Sequence, residues 1–260
     1  MIKLVIFNCI LLLFISVGLV LCKKFVKREK MQNLTLILAA LFTILCHYST
    51  FLYLCVTSGS AMDYLRETPN LLLPIYPCNV VMWGCIIYGF LRNKNSKFAL
   101  FLADYLFWFG IFSTLVGMFA NVDFINNPTL KNYENFKSIF AHATLLFNVL
   151  LVWIFGHIKI DLNRVVVNMF FSVVMMYAIG VYCNTVYQAL VSVEAANDVN
   201  SMFILHSPFP GLDFLTYPII ALVAMVLYFG HFVVFELFAY PKGNRWYNRI
   251  KKRWQARKKS

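Results

Sequence analysis

Acidic side chains are scarce in this sequence, with 11 Asp and Glu among 260 residues against 23 Lys and Arg. Charged residues of both signs make up 13% of the chain, where a soluble domain carries about 25%. That shortage excludes an ordinary solvated globule and points to a membrane protein. Cysteine pairing is also missing. The seven cysteines (Cys9, Cys22, Cys46, Cys55, Cys78, Cys85 and Cys183) form no C-x-x-C, and each lies in or beside an apolar run. An odd number so placed is neither a disulfide framework nor a zinc pattern, and such thiols ordinarily pack as small hydrophobes. No G-x-G-x-x-G, P-loop, H-E-x-x-H or G-x-S-x-G occurs, and no internal repeat stands out. Neither a metal nor a cofactor is expected.

What the chain does have is apolar length. Hydrophobic residues reach 61%, gathered in seven runs at 2–22, 33–56, 70–91, 98–120, 136–158, 165–191 and 215–240. Each approaches the roughly 20 residues a helix needs to cross the hydrocarbon core. The fold expected is all-α, a bundle of seven transmembrane helices over 1–240 with a basic amphipathic tail over 241–260. Of the 23 Lys and Arg, all but Lys3, Arg66, Lys131 and Lys137 fall after the first, third, fifth and seventh runs. By the positive-inside bias this puts the N-terminus outside and the C-terminus in the cytoplasm. The net charge of +12 is thus a topological signal, and no nucleic-acid partner is expected. In the tail, Trp246, Ile250 and Trp254 recur at helical spacing among basic residues, a pattern suited to the anionic inner leaflet. The first run is read as a span and not a cleaved leader, because no small-residue cleavage site precedes the basic block. Its "LVLC" ending is no lipoprotein box, since Leu21 is too large for that position.

Polar groups are costly within hydrocarbon, so each is a functional candidate. On the expected topology Cys78, His142, His47, Asn184, Tyr187 and Tyr217 share one layer under the outer face, with Cys78 ~12 Å deep if helical. A looser set, Asp104, His157, Asn168, His231 and Glu236, lies toward the cytoplasm. Taken singly each has a plainer reading: packing thiol, interhelical hydrogen bond or span-end residue. The stretch "PIYPCN", residues 74–79, lifts the outer set. Pro77 obstructs a helix running through it but suits the first helical position. A helix beginning there places Cys78 in its first turn, where free N–H groups and the positive dipole end favour a thiolate. The amides of Cys78 and Asn79 would face a developing oxyanion. Residues 71–76 would be irregular backbone at membrane depth, tolerated only inside protein or beside a wet cavity. His142 is the natural base for such a thiol.

The stretches "LLLPIYPCNVVMWG", "FKSIFAHATLLFNVLLV" and "VEAANDVNSMFILHSP", the last followed by "GLDFLTYP", together resemble the YwaF-like family of integral membrane proteins, which includes the animal transmembrane protein 164. The similarity covers roughly 33–240. It implies a polytopic acyltransferase in which Cys78 is acylated, His142 serves as general base and acid, and Asn200 and Pro208 shape the mouth. Asn79 and Tyr76 stand where members often carry a histidine.

The expected function is therefore an integral membrane acyltransferase at the cell membrane. It would move a fatty acyl chain from a phospholipid to a lysophospholipid or similar acceptor through a cysteine thioester. His47, Asn79, Asn184, Tyr187, Asn200 and Tyr217 are the expected substrate contacts, membrane phospholipids the partners. A lipid-ester hydrolase differs only in using water as acceptor. The alternative of another class is a proton-coupled transporter or small-molecule sensor with an outward cavity, in which Asp104 and Glu236 would matter most.

Overall fold

The computed structural model describes residues 2–57, 59–119, 129–208 and 211–257. Ala120 at the end of the fourth run, Asp123 in the loop after it, and Lys258 and Lys259 in the tail lie outside the described residues. Among the described residues every regular element is helical. In chain order these are α1 (Ile2–Phe25), α2 (Glu29–Thr57), α3 (Ala61–Glu67), α4 (Pro77–Phe90), α5 (Lys97–Phe119), α6 (Tyr133–Ile154), α7 (Leu162–Leu190), α8 (Val193–Val199), α9 (Tyr217–Ala239) and α10 (Trp246–Arg257).

Six of them, α1, α2, α5, α6, α7 and α9, are long and apolar enough to cross a membrane. The third run behaves differently. Its helix α4 has 14 residues, or about 21 Å of rise, against a hydrocarbon core of about 30 Å. The run begins with a 3-10 turn, Pro69–Leu71, and then loses regular structure until Pro77. The cause is local: Pro74 and Pro77 remove two amide donors, and each ring clashes with the carbonyl four residues back.

α5 is the axis of the bundle. It packs against α1, α4, α6, α7 and α9, and its buried residues, among them Ala103, Leu106, Phe107, Trp108 and Thr114, lie on every side of the helix. A helix apolar all round is stable only when enclosed in this way. α9 is the opposite case, buried along one seam of Ala221, Tyr228, Phe232 and Glu236. Leu13, Phe14 and Phe238 on the outer helices stay open, an arrangement suited to lipid and not to water.

Buried polar side chains tie the helices together. Asn8 Nδ2 donates to the Met118 carbonyl at 2.7 Å, joining α1 to α5. Lys94 donates to the Tyr88 and Gly89 carbonyls and closes the end of α4, and burial draws its ammonium pKa down to about 8. Arg164 Nε donates to Asp104 Oδ2 at 2.6 Å, and the Asp104 side chain is 2% exposed. Removing one partner of such a pair strands a buried charge. Arg164→Leu should therefore cost roughly 3 kcal/mol, seen as a lower thermal unfolding midpoint in detergent. Adding Asp104→Leu should recover most of that loss, because the stranded carboxylate is then gone.

The tail is docked. Arg249 Nη2 donates to Glu236 Oε1 at 2.7 Å, its guanidinium lies 4.8 Å from the Tyr240 ring centre, and Trp246 packs edge-on to Phe229. Ile250 and Trp254 remain exposed on the same helix.

Candidate active site

The start of α4 is shaped by its sequence. Tyr76 is extended, Pro77 takes the first helical position, and the Asn79 side chain folds back so that Oδ1 accepts the Tyr76 N–H at 3.0 Å. The Asn79 N–H donates to the Tyr76 carbonyl at 3.0 Å. Of the two amides expected to face an oxyanion, Asn79's is thus spent on the turn itself, and Cys78's is the candidate that remains.

Cys78 sits in the wall of a cavity of about 830 Å³ lined by α2, α4, α5, α6, α7 and α9. His142, His47, Asn79, Tyr217 and Pro208 line the same cavity. The Cys78 thiol and the His142 imidazole face the same cavity and are near enough to interact electrostatically. His142 Nδ1 is 2.7 Å from the Ser138 carbonyl. A carbonyl only accepts, so that nitrogen carries the proton and Nε2 is the basic one. The ring lies against Gly117 so closely that a Cβ there would stand 2.2 Å from Nε2.

The cavity is graded. Where α2 ends and α6 begins it is lined by Tyr64, Glu134 and Lys137. Lys137 pairs with Glu134 and donates to Thr50 at 3.1 Å and Tyr64 at 3.0 Å. At the other end Met169, Met176 and Leu227 line it. Its lining positions on α9 run from Tyr217 to Tyr228, about 17 Å of helix.

The remaining expected residues are placed elsewhere. Asn184, Tyr187 and Asn200 do not line this cavity. Asn184 is bonded to the Ser201 backbone. Tyr187 reaches toward the Arg66 carbonyl at 3.4 Å. Asn200 holds a loop corner, accepting the Leu205 N–H at 3.0 Å and donating to the His206 carbonyl at 2.9 Å. The imidazole of His206 meets the Asn197 and Ser207 carbonyls, which raise its pKa above the usual histidine value. Tyr217, although in the cavity wall, uses its hydroxyl to bind the Val173 carbonyl at 2.6 Å, and His47 Nε2 stands 3.4 Å from the Asn70 carbonyl.

The other polar set does not reach the cavity either. Asp104 and Glu236 are held by Arg164 and Arg249, His157 Nδ1 meets the Tyr88 hydroxyl at 2.6 Å, Asn168 donates to the Arg164 carbonyl, and His231 packs among Phe107, Trp108 and Phe235. Among the described residues no three His, Cys, Asp or Glu side chains are grouped to hold a metal ion.

Two residues of the site escaped the sequence reading. Ser138 had a signal, standing one helical turn before His142. Gly117 had none, since its closeness to the imidazole is a contact between two helices.

A sequence model of the TMEM164 family matches residues 2–235. No curated protein and no solved structure matches the chain.

Proposed function

Because the chain belongs to the TMEM164 family, and a thiol and an imidazole face one large cavity, we propose that this multi-pass membrane protein is a phospholipid acyltransferase using Cys78 as nucleophile. The observation that carries the reading is the position of that pair between a polar mouth and an apolar depth. An ester has the same polarity profile, with headgroup on one side and acyl chain on the other.

In the first half-reaction His142 Nε2 takes the thiol proton, and the sulfur attacks the ester carbonyl carbon. A carbon–sulfur bond forms, with the Cys78 amide beside the developing oxyanion. The bond from carbonyl carbon to glycerol oxygen then breaks, and that oxygen leaves with the proton from His142 as a lysophospholipid. In the second half an acceptor hydroxyl gives its proton to His142 and attacks the thioester. The acyl chain departs, and the sulfur recovers the proton. Ser138 keeps the imidazole in the required tautomer throughout. His47 and Tyr217 contact substrate directly, while Asn79, Asn184, Tyr187 and Asn200 act on it chiefly through the segments they hold.

The same reading assigns seven crossings, the short α4 being the third, with the N-terminus outside and the C-terminus in the cytoplasm of the cell membrane. The lysine and arginine distribution supports this, and the irregular segment before Pro77 supplies the length that α4 lacks. The exposed Ile250 and Trp254 with their basic neighbours then meet anionic inner-leaflet lipids.

The test is intact-mass spectrometry of the purified chain in bilayers holding a phospholipid with an isotopically labelled acyl chain. A labelled adduct on Cys78, removed by hydroxylamine and moved to added lysophospholipid, is expected. Label released as free fatty acid without any acceptor would make the protein a hydrolase. No adduct at Cys78, together with labelled transfer product, would overturn the covalent route.

A further inference from the structure

Among the described residues, the non-glycine residues with positive φ are Asn200 at 42°, Met202 at 54° and Phe203 at 58°. Left-handed backbone is unfavourable for a methionine or a phenylalanine, and it persists only where the surroundings impose it. Here they do. Asn184 on α7 grips Ser201 twice, accepting its N–H at 2.9 Å and donating to its carbonyl at 3.4 Å. Gly180, one turn earlier, lets the loop close on the helix, for a Cβ there would stand 3.0 Å from the Ser201 carbonyl oxygen. Ser201 and Met202 are fully buried as a result.

The strained loop delivers two donors to one acceptor. Ser201 Oγ donates to the Ile75 carbonyl at 3.0 Å, and the Met202 N–H donates to the same oxygen at 2.9 Å. In a continuous helix that carbonyl would accept the N–H of Asn79, which instead bonds Tyr76. Ile75 is 1% exposed, so without the loop a buried carbonyl would be left unpaired. Two peptide planes later comes Cys78. Phe203 also packs on the Tyr76 ring, centres 5.9 Å apart, so the loop braces the chain on both sides of that turn.

We propose that Ser201, with Asn184 behind it, is a positioning residue for the Cys78 thiol. Neither side chain lines the cavity. They act by fixing the Ile75 carbonyl, and with it the direction from which the first turn of α4 presents sulfur to His142. This rests on the reading of Cys78 as nucleophile, but it concerns the thiol's reactivity, which is measurable without turnover.

The experiment uses the full chain in bilayers, alkylated with a small maleimide across a pH series, with Cys78 followed by peptide mass spectrometry. Ser201→Ala should slow Cys78 alkylation at neutral pH about tenfold, as befits one lost hydrogen bond, and move the midpoint of its pH profile upward. Ser201→Thr, which keeps the hydroxyl, should restore both. Exposed Cys55, near the end of α2, should react as before in every variant. Should Ser201→Ala fold poorly, Asn184→Ala is the second variant: it keeps the Ser201 hydroxyl but frees the backbone that aims it, and should shift the profile in the same direction. An unshifted Cys78 profile in a variant with a lowered unfolding midpoint would overturn the proposal and leave the loop a purely structural brace. If Cys78→Ala still turns over, the catalytic reading fails instead, and the alkylation profile still decides the positioning role.

Discussion

With Cys78 replaced by alanine, acyl transfer should fall by roughly 10⁴-fold or more, to the level the cavity alone supports. The bundle should remain folded, because Cys78 is only part-buried and the change should cost about 1 kcal/mol or less. His142→Ala should leave the sulfur in place and lose the proton acceptor, slowing transfer by roughly 10²–10⁴-fold. Combining them should do little more than Cys78→Ala alone, since both serve one event. The measurement is transfer of a labelled acyl chain in bilayers of fixed composition. A Cys78→Ala protein that retained even a tenth of wild-type transfer would remove the thioester from consideration. Damage from Asp104→Asn in a protein whose unfolding midpoint holds, with Cys78→Ala harmless, would favour a transport function.

The second large effect comes from adding one methyl group. Gly117→Ala should reduce transfer about as far as losing the imidazole, roughly 10²–10⁴-fold. The new Cβ would stand 2.1 Å from His142 Cδ2 and 2.2 Å from Nε2, so the ring must leave its place. Turning away, it gives up either the Ser138 carbonyl or the Cys78 thiol. The helix itself should not suffer, because alanine inside a helix is favoured over glycine by about 1 kcal/mol. Activity and stability should therefore part company, with transfer collapsing while the unfolding midpoint holds or rises. Gly117→Ala combined with His142→Ala should be no worse than His142→Ala alone, a coupling that a double-mutant cycle reads directly. Full activity in Gly117→Ala would mean that the imidazole is not needed where it stands.

Six of the seven expected spans were legible as long apolar helices because a bilayer demands length and apolarity from contiguous residues. The start of α4 was legible because proline acts locally. From those two facts Cys78 and His142 could be expected at one depth, and both face one cavity. What spacing could not carry was the use each polar group makes of its capacity to hydrogen-bond. Asn184 and Asn200 read as cavity polars, yet their short amides are satisfied by nearby backbone, the usual fate of such side chains. Asp104 and Arg164 sit 60 positions apart and meet only because the start of α7 packs beside the start of α5. The 14-residue length of α4 was hidden by leucines at 71–73 that continue the apolar run without continuing the helix.

Glu236, which holds Arg249 of the tail, and Tyr228, in the cavity wall, ride on a single uninterrupted helix, about 12 Å apart along its axis. Both residues lie on the one seam along which that helix is buried. A displacement of the basic terminus at Glu236 would therefore bear on the helix that forms one wall of the cavity.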